Sequence, residues 1–144
     1  MNVLNVQGST LIERLRRRQW RITAQRRAVA EVLSEEDIHL SADQVYTRAR
    51  AVLPEISRAT VYNTLGELVD MGEVQEVQLF PGPALYDPNA HIEHHHLVCT
   101  HCGAIFDIQP LGVEKLQLLE KDAAGFSPEK VEVVFRGLCA ECRK

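Results

Sequence analysis

The sequence predicts an α+β fold made of two domains, and three features of the chain support this prediction. Apolar residues recur at helical spacing up to Gly72, alternate with polar residues directly after it, and give way after Asp87 to a segment that contains all four cysteines. With 144 residues, of which 45% are hydrophobic, the chain can form one ordinary domain or two small ones. We expect a winged helix-turn-helix domain over residues 1–86, a hinge at 87–91 and a small α/β dimerisation domain over 92–144.

Four helices are predicted in the first domain from apolar stripes and from residues that commonly begin or end helices. Thr23, Ser41 and Ser57 have hydroxyls that can cap a helix N-terminus, and Gly72 is the expected stop of the last helix. Residues 39–41 are predicted as a loop. The predicted helices cover residues 10–19, 24–33, 42–52 and 58–71.

A β-hairpin is predicted after the helices. Residues 74–79 alternate in polarity, residues 80–83 read Phe-Pro-Gly-Pro as a turn, and residues 84–86 return as a strand. Helices followed by a hairpin are typical of a winged helix-turn-helix, in which a recognition helix lies in the DNA major groove and the hairpin touches the backbone. The recognition helix would be residues 58–71.

The residues beyond Asp87 predict a smaller α/β domain. Its apolar segments are too short for a large core, and a lone three-stranded sheet has open edges. We therefore expect this domain to pair with a second copy of the chain. The predicted elements are strands at 97–98, 104–108 and 131–135, and a helix at 111–124.

Charge is unevenly distributed along the chain. Residues 1–30 contain seven arginines and one acidic residue, whereas residues 73–144 contain six basic and eleven acidic residues, and the net charge is −4. A basic N-terminal segment indicates an anionic partner in spite of the negative total. We expect that partner to be double-stranded DNA.

Candidate DNA contacts follow from the chemistry of each side chain. Arginine can read guanine and asparagine can read adenine, while hydroxyls near a helix N-terminus suit phosphates. Each position could instead be an ordinary solvated surface residue, and Trp20 is expected to pack rather than to stack on a base. The candidates are Arg16, Arg17, Arg18 and Arg21 for phosphate or minor-groove contacts, and Ser57, Arg58, Thr60, Tyr62 and Asn63 at the start of the recognition helix.

The cysteines form two Cys-x-x-Cys pairs, Cys99 with Cys102 and Cys139 with Cys142, and none is left over. A two-residue spacer lets both thiolates of a pair point inward from one turn, so two pairs can supply the four ligands of a structural Zn²⁺. Disulfides, a redox pair and inert core cysteines are the alternatives. Residues 1–7 lack the basic and apolar parts of a secretory signal, so we expect a cytoplasmic protein with reduced thiols.

A second cluster of metal-binding side chains precedes the first cysteine pair. His94 and His96 lie two residues apart on an extended segment and should point to one side, while His95 points to the other. Imidazole and carboxylate donors suit Fe²⁺ or Mn²⁺, although Zn²⁺ also binds them. A solvated histidine cluster is the alternative, and alternation alone does not place His39 or Asp87 in the same site.

Several motifs give the chain a resemblance to the ferric uptake regulator (Fur) family, most closely to its peroxide-responsive branch. They are Arg-Ile-Thr-Ala-Gln-Arg at 21–26, His-Leu-Ser-Ala-Asp at 39–43, Ser-Arg-Ala-Thr-Val-Tyr-Asn-Thr-Leu at 57–65, Tyr-Asp at 86–87, and the histidine- and cysteine-containing segments 94–103 and 137–142. The resemblance implies a dimeric repressor with structural zinc on its four cysteines. It also implies a regulatory metal bound by His39, Asp87, His94, His96 and Asp107.

The chain departs from the family pattern at three places. A further metal site found in some members would use Glu93, His95, Asp107 and a histidine near Val131, but no histidine stands there. Gln19 occupies a position where relatives often have a glycine that ends the helix. Asp107 is an aspartate where iron-uptake regulators commonly have glutamate, and this difference favours the peroxide branch.

The leading hypothesis is a metal-dependent repressor that senses peroxide; a metal-uptake regulator without peroxide sensing is the alternative within the family. A zinc hydrolase would need an open coordination position and a general base, for which Glu93 is the only nearby candidate, and the chain has no His-Glu-x-x-His motif. We therefore expect no enzyme activity and no small-molecule substrate. A zinc-bound interaction module without DNA binding is a third reading, against which the basic segment argues. No apolar run approaches the length of a membrane span.

Overall fold

The computed structural model describes residues 9–35 and 38–144 and divides the chain into two compact units, Met1–Glu93 and His94–Lys144. The predicted α+β class is confirmed. Every helix in the described residues is too short or too polar to cross a lipid bilayer. The elements of the first unit are α1 (Leu11–Arg17), α2 (Ala24–Val32), β1 (Leu40–Ser41), α3 (Ala42–Val52), α4 (Arg58–Asp70), β2 (Gln75–Val77) and β3 (Leu85–Asp87). The second unit contains β4 (His95–Cys99), β5 (Ile105–Ile108), a short 3-10 helix (Val113–Lys115), α5 (Glu120–Ala123) and β6 (Val134–Gly137).

Each helix of the first unit begins at a hydroxyl-bearing residue. The side chains of Thr10, Thr23, Ser41 and Ser57 accept hydrogen bonds from the backbone N–H groups three residues later. These bonds satisfy amides that have no partner inside the helix, and each cap of this kind contributes about 1 kcal/mol. The predicted caps at Thr23, Ser41 and Ser57 are thus confirmed.

Helix α1 ends two residues earlier than the predicted residue 19. The N–H of Trp20 donates to the carbonyl of Leu15, and the N–H of Gln19 donates to the carbonyl of Arg16. This pair of bonds is the Schellman motif, which requires a left-handed backbone at its central residue. Gln19 has a φ of 58°, so a residue with a side chain occupies a backbone conformation that favours glycine.

The core of the first unit lies where α1, α2, α3 and α4 meet. The buried residues fall at the helical spacing that the sequence predicted, and Trp20 packs against the edge of this cluster, as expected. Fully buried members of the core are Leu15, Val29, Val45, Val61, Leu65 and Leu68. Because these residues of α4 are buried, the opposite face of that helix is exposed to solvent.

A three-stranded antiparallel sheet, with strand order β1-β3-β2, completes the first unit. The predicted hairpin is present, but residues 39–41 do not form the predicted loop. Leu40 pairs with Tyr86 and Ser41 pairs with Leu85, so β1 is a third strand beside the hairpin. Two residues are too few to produce a visible alternation, which is why the sequence pattern missed it.

The second unit is a three-stranded sheet with the order β5-β4-β6, in which β4 runs antiparallel to β5 and parallel to β6. The last strand begins at Val134, later than the predicted residue 131. The predicted helix over 111–124 is wrong, because only the 3-10 turn and the four residues of α5 are helical. Leu116, Leu118 and Leu119 are 57–61% exposed, so within the described residues their apolar side chains gain little burial that would stabilise a longer helix.

Candidate metal centres and nucleic-acid interface

The second sheet brings the two cysteine pairs to the same edge. Cys99 is the last residue of β4 and stands opposite Gly137, the last residue of the parallel strand β6. Cys102 follows Cys99 on a turn that closes with a hydrogen bond from the N–H of Gly103 to the carbonyl of Cys99. Cys139 follows Gly137 by two residues. Strand pairing therefore joins segments that are 36 residues apart in the chain (103–138).

The four sulfur atoms fit a tetrahedral Zn²⁺. All four Sγ atoms lie within 4.8 Å of one another, and the Sγ atoms of Cys102 and Cys139 are 3.8 Å apart. Zinc–sulfur bonds of about 2.3 Å at tetrahedral angles place sulfurs roughly 3.8 Å apart. A disulfide would need about 2.05 Å, and all four cysteines are free thiols. The geometry of Cys99, Cys102, Cys139 and Cys142 thus fits the structural zinc predicted from the sequence.

Backbone groups around Cys99 favour its thiolate, which is the form that binds metal. Hydrogen bonds from the backbone at Cys102 and at Cys139 lower the pKa of Cys99 to about 5, and the Cys139 N–H lies 3.3 Å from its sulfur. Cys142 has the opposite shift. Its contact with the Cys139 side chain and burial among the other sulfurs raise its pKa to about 12. Four sulfurs this close do not all ionise without a cation, so the cluster is suited to a dication.

The predicted histidine cluster of the second unit converges on one carboxylate. Strand pairing sets His96 directly across from Asp107, and alternation puts His94 on the same face. The Nε2 atoms of His94 and His96 lie 3.7 Å and 3.6 Å from Asp107 Oδ1. These separations exceed hydrogen-bond length but match about 3.4 Å expected between ligands of one small divalent ion. The three side chains fit as part of a metal site.

A second histidine–carboxylate pair lies within the first unit. His39 directly precedes β1 and Asp87 is the last residue of its partner strand β3; the Nε2 and Oδ2 atoms of the two residues are 3.4 Å apart. The Asp87 carboxylate also accepts hydrogen bonds from Gln75 Nε2 at 3.3 Å and from the Asn89 N–H at 2.9 Å. These bonds orient the carboxylate in the way that outer partners orient metal ligands.

His95 points away from this cluster, as alternation predicted. Its Nδ1 accepts a hydrogen bond of 3.0 Å from the backbone N–H of Val133, and the residue is 6% exposed. The contact holds the chain that enters β6 against β4. His95 has a structural role in the sheet.

The outer face of α4 presents the predicted DNA contacts. Arg58, Tyr62 and Asn63 are exposed, whereas Val61 and Thr64 on the same helix are buried. The Ser57 and Thr60 hydroxyls lie 2.9 Å apart, and Ser57 caps the helix, so both polar groups stand at the helix N-terminus. A groove of about 300 Å³ between α2 and α4 is lined by Arg21, Thr23, Gln25, Arg26, Thr60, Asn63, Thr64 and Glu67.

The arginines near α1 divide into two groups. Arg16, Arg17 and Arg21 are exposed and form no side-chain ion pair within residues 9–35 and 38–144, so their charges remain available to phosphates. Arg18, predicted as a phosphate or minor-groove contact, is 45% exposed and places its Nε 2.7 Å from Glu73 Oε1. A buried carboxylate therefore engages this arginine within the protein.

Comparison with known proteins identifies the family. The sequence model described as "Ferric uptake regulator family" matches residues 17–136. The chain belongs to the ferric uptake regulator family. Like other Fur proteins it is a metal-responsive transcriptional regulator and not an enzyme, and family members are dimeric DNA-binding proteins.

Relatives and solved structures agree with this membership. The transcriptional regulator FurA of Mycobacterium tuberculosis is 34% identical over 90% of this chain and 88% of its own. The peroxide-responsive repressor PerR of Staphylococcus aureus is 33% identical over 92% of this chain and 88% of its own. The ferric uptake regulator of Francisella tularensis, solved with iron, superposes with a TM-score of 0.70 at 25% identity, covering 86% of this chain and 95% of the other.

Two groups of residues in this Fur protein were not found from the sequence. Glu73 is 2% exposed, and its Oε2 accepts from Arg14 Nε at 2.8 Å and contacts His91 Nε2 at 2.7 Å. Burial alone would raise the pKa of Glu73, but the hydrogen bonds from Arg14 and His91 outweigh it and lower the pKa. An acidic residue beside a turn gives no sequence signal of burial.

The second unforeseen group links α4 to the turn after α1. Glu67 accepts hydrogen bonds from Trp20 Nε1 at 3.0 Å and from Arg26 Nη2 at 2.7 Å. The Arg26 guanidinium also lies 4.5 Å from the centre of the Trp20 ring, within cation–π distance. These contacts link α4 to α2 and to the turn after α1 in this Fur protein.

Proposed function

We propose that this Fur-family chain is a peroxide-sensing repressor that binds operator DNA as a homodimer in the cytoplasm. The observation that carries the proposal is the distribution of metal donors over the two units. His39 and Asp87 form a pair in the DNA-binding unit, and His94, His96 and Asp107 converge in the other unit. A regulatory Fe²⁺ or Mn²⁺ bound by all five would favour one arrangement of the domains about a hinge at 87–91. That coupling would make DNA binding depend on metal.

DNA recognition is assigned to the exposed face of α4. Arg58, Tyr62 and Asn63 would contact base edges in the major groove, and Ser57 and Thr60 would contact phosphates near the helix N-terminus. Exposed arginines around α1 supply the sequence-independent part of the affinity. They are Arg16, Arg17 and Arg21.

Pairing of two chains is supported by one face of the second sheet. Leu97 stands opposite Phe106 on one neighbouring strand and Phe135 on the other. These three apolar side chains form a row and are 39%, 48% and 49% exposed in the single chain. An apolar row of this kind on a small sheet is suited to a second copy. The dimer would present two α4 helices to successive major grooves of a pseudo-palindromic operator.

The donor set supports iron chemistry in this protein. All five proposed ligands of the regulatory metal are imidazoles or carboxylates, which suit Fe²⁺ and Mn²⁺, whereas the thiolates are gathered in the zinc site. Fe²⁺ bound there would supply reduction of peroxide. The ligating imidazoles are then the nearest oxidisable groups, and an oxygen atom added to His39 or His94 would weaken metal binding and release the operator.

The test compares the protein loaded with Fe²⁺ and with Mn²⁺, each with zinc retained. After treatment with peroxide, intact mass and peptide mapping should find a gain of about 16 Da, one oxygen atom, on His39 or His94 of the Fe²⁺ form alone. The Fe²⁺ form should lose its operator in a gel shift, and the Mn²⁺ form should keep it. Oxidised cysteines with loss of zinc would instead identify thiol-based sensing.

A metal-uptake regulator is the second candidate function. The likeness to the iron-bound ferric uptake regulator of Francisella tularensis favours it. In that case metal would still be required for DNA binding, but peroxide would leave both histidines and the gel shift of the Fe²⁺ form unchanged.

A further inference from the structure

Arg58, the first residue of the recognition helix, is held in the free protein by two side chains of the preceding helix. Its Nη1 donates to Asp43 Oδ1, and its guanidinium carbon lies 4.5 Å from the centre of the Tyr46 ring. Asp43 and Tyr46 are three residues apart on α3, so they share one helix face. One contact fixes an edge of the guanidinium and the other fixes its plane.

This arrangement leaves donors available on the exposed side of Arg58. A guanidinium carries five N–H donors, and bidentate contact with the O6 and N7 atoms of guanine needs two of them. Within residues 9–35 and 38–144, Asp43 provides the one hydrogen-bond acceptor of the Arg58 guanidinium. The side chain is 61% exposed, so it has solvent-accessible surface at which a base can approach the remaining donors.

The pair has little to do with folding. Asp43 is 67% exposed, and ion pairs at this exposure add little to stability. Its position beside DNA is also unfavourable on charge alone, because a carboxylate repels phosphates. Orientation of a flexible arginine before binding is the benefit that remains, since it reduces the rotamer freedom lost when the base is contacted.

We propose that Asp43 determines base specificity by positioning the Arg58 guanidinium, against the Tyr46 ring, for bidentate contact with a guanine in each half-site. The inference rests on the proposed function, because it requires operator binding through α4. It assigns to an acidic residue outside the recognition helix a part in sequence reading. Asp43 is a positioning residue, and Arg58 makes the contact.

The experiment is selection of binding sites from a randomised DNA library by the full-length protein loaded with zinc and Mn²⁺. Wild type is compared with Arg58→Ala, Asp43→Ala and Asp43→Asn. The matched control is Asp70→Ala, which removes an exposed carboxylate from the opposite end of α4. Affinity for random DNA is measured in parallel at fixed salt.

Arg58→Ala should lose preference for guanine at one position of each half-site by roughly 5- to 150-fold, the range for one bidentate base contact. Asp43→Ala should lose much of the preference at the same position while binding random DNA as well as wild type or better, because a repulsive charge is gone. Asp43→Asn keeps an acceptor oxygen and should retain more preference than Asp43→Ala. A variant that combines Asp43→Ala with Arg58→Ala should match Arg58→Ala alone, since the two residues act through one contact.

The outcomes separate this inference from the proposed function. If wild type selects no metal-dependent operator, the proposed function fails before any variant is compared. If wild type selects an operator and both neutral Asp43 variants retain its base preferences, Asp43 acts only through its charge and the inference is overturned. An unchanged guanine preference in Arg58→Ala would overturn it as well. If Asp70→Ala loses base preference to the same extent, the effect is a general one of charge, and the inference is overturned as well.

Discussion

Replacing Glu73 by glutamine removes the one negative charge of a buried cluster while keeping the shape of the side chain. Glu73 is 2% exposed and lies within 2.8 Å of donor atoms of Arg14, Arg18 and His91. These contacts tie α1 to the start of the hairpin and to the segment that follows β3. The first unit should therefore be the part of the protein that loses stability.

The magnitude follows from the exposure of the partners. Removing one member of a buried ion pair costs about 3–5 kcal/mol, because the other charge is left buried. The Arg14 side chain is 14% exposed and is left without its counter-charge, but Arg18 is 45% exposed and can turn into water. Glutamine also keeps an acceptor oxygen. We expect a loss of about 2–3 kcal/mol, which is a fall of about 10–20 °C in the melting temperature of a domain of this size.

The stabilisation that Glu73 provides should also depend on pH in a definite direction. The pKa of Glu73 in the folded protein lies below its ordinary value of 4.5. A lowered pKa contributes stability that is fully present above the unfolded value and is lost as pH falls through the folded one. The difference in unfolding free energy between wild type and Glu73→Gln should therefore be constant near pH 7 and should shrink below about pH 4.5.

Thermal unfolding of the zinc-loaded protein, followed by circular dichroism at pH 7 and at pH 3.5, measures both quantities. Glu76→Gln is the control, because Glu76 is an exposed acidic residue three positions further along the chain. A Glu73→Gln protein within about 0.5 kcal/mol of wild type at pH 7 would refute the reasoning. So would a difference between the two proteins that did not change between the two pH values.

Three further predictions concern single positions. Cys142→Ser should lose a zinc site whose binding free energy is on the order of 10 kcal/mol, so native mass spectrometry should find zinc-free protein that is monomeric or unfolded. A folded dimer without zinc would contradict the assignment. Gln19→Gly should raise the free energy of unfolding by roughly 0.5–1 kcal/mol, because glycine adopts the left-handed backbone conformation of this position without strain. The control Gln25→Gly, inside α2, should lower the free energy of unfolding by about 1 kcal/mol, and a loss in both variants would argue against strain at Gln19. Arg17→Ala should weaken binding to operator and random DNA equally and reduce the slope of log affinity against log salt by about one. Fluorescence anisotropy at several salt concentrations measures both quantities, and a loss of affinity confined to the operator would contradict a phosphate contact.

The parts of the fold that were predicted from the sequence are those set by neighbours in the chain. Helix caps at Thr23, Ser41 and Ser57 depend on residues three positions away, and strand alternation separated His94 and His96 from His95. The motif-based assignment to the Fur family also needed no tertiary information.

The failures concern residues whose environment lies far along the chain. The helix expected over 111–124 has apolar side chains that are mostly exposed in the described part of the chain, so periodicity alone predicted more helix than is present. The ion pair of Arg18 was not foreseen, because its partner Glu73 lies 55 positions later in the chain. Local patterns do not encode such pairings.

Strand β4 carries donors of both metal sites, since His96 faces Asp107 and Cys99 belongs to the zinc cluster three residues later. A slip of one residue in its pairing would exchange the face of His95 with that of His94 and His96. Zinc binding at Cys99 opposes such a slip because it ties the end of β4 to the segment after β6. Zinc at the cysteines therefore helps to keep the histidine and aspartate donors of the second cluster in register. Removal of that zinc should change the affinity for Mn²⁺ although every nitrogen and oxygen ligand remains in the chain.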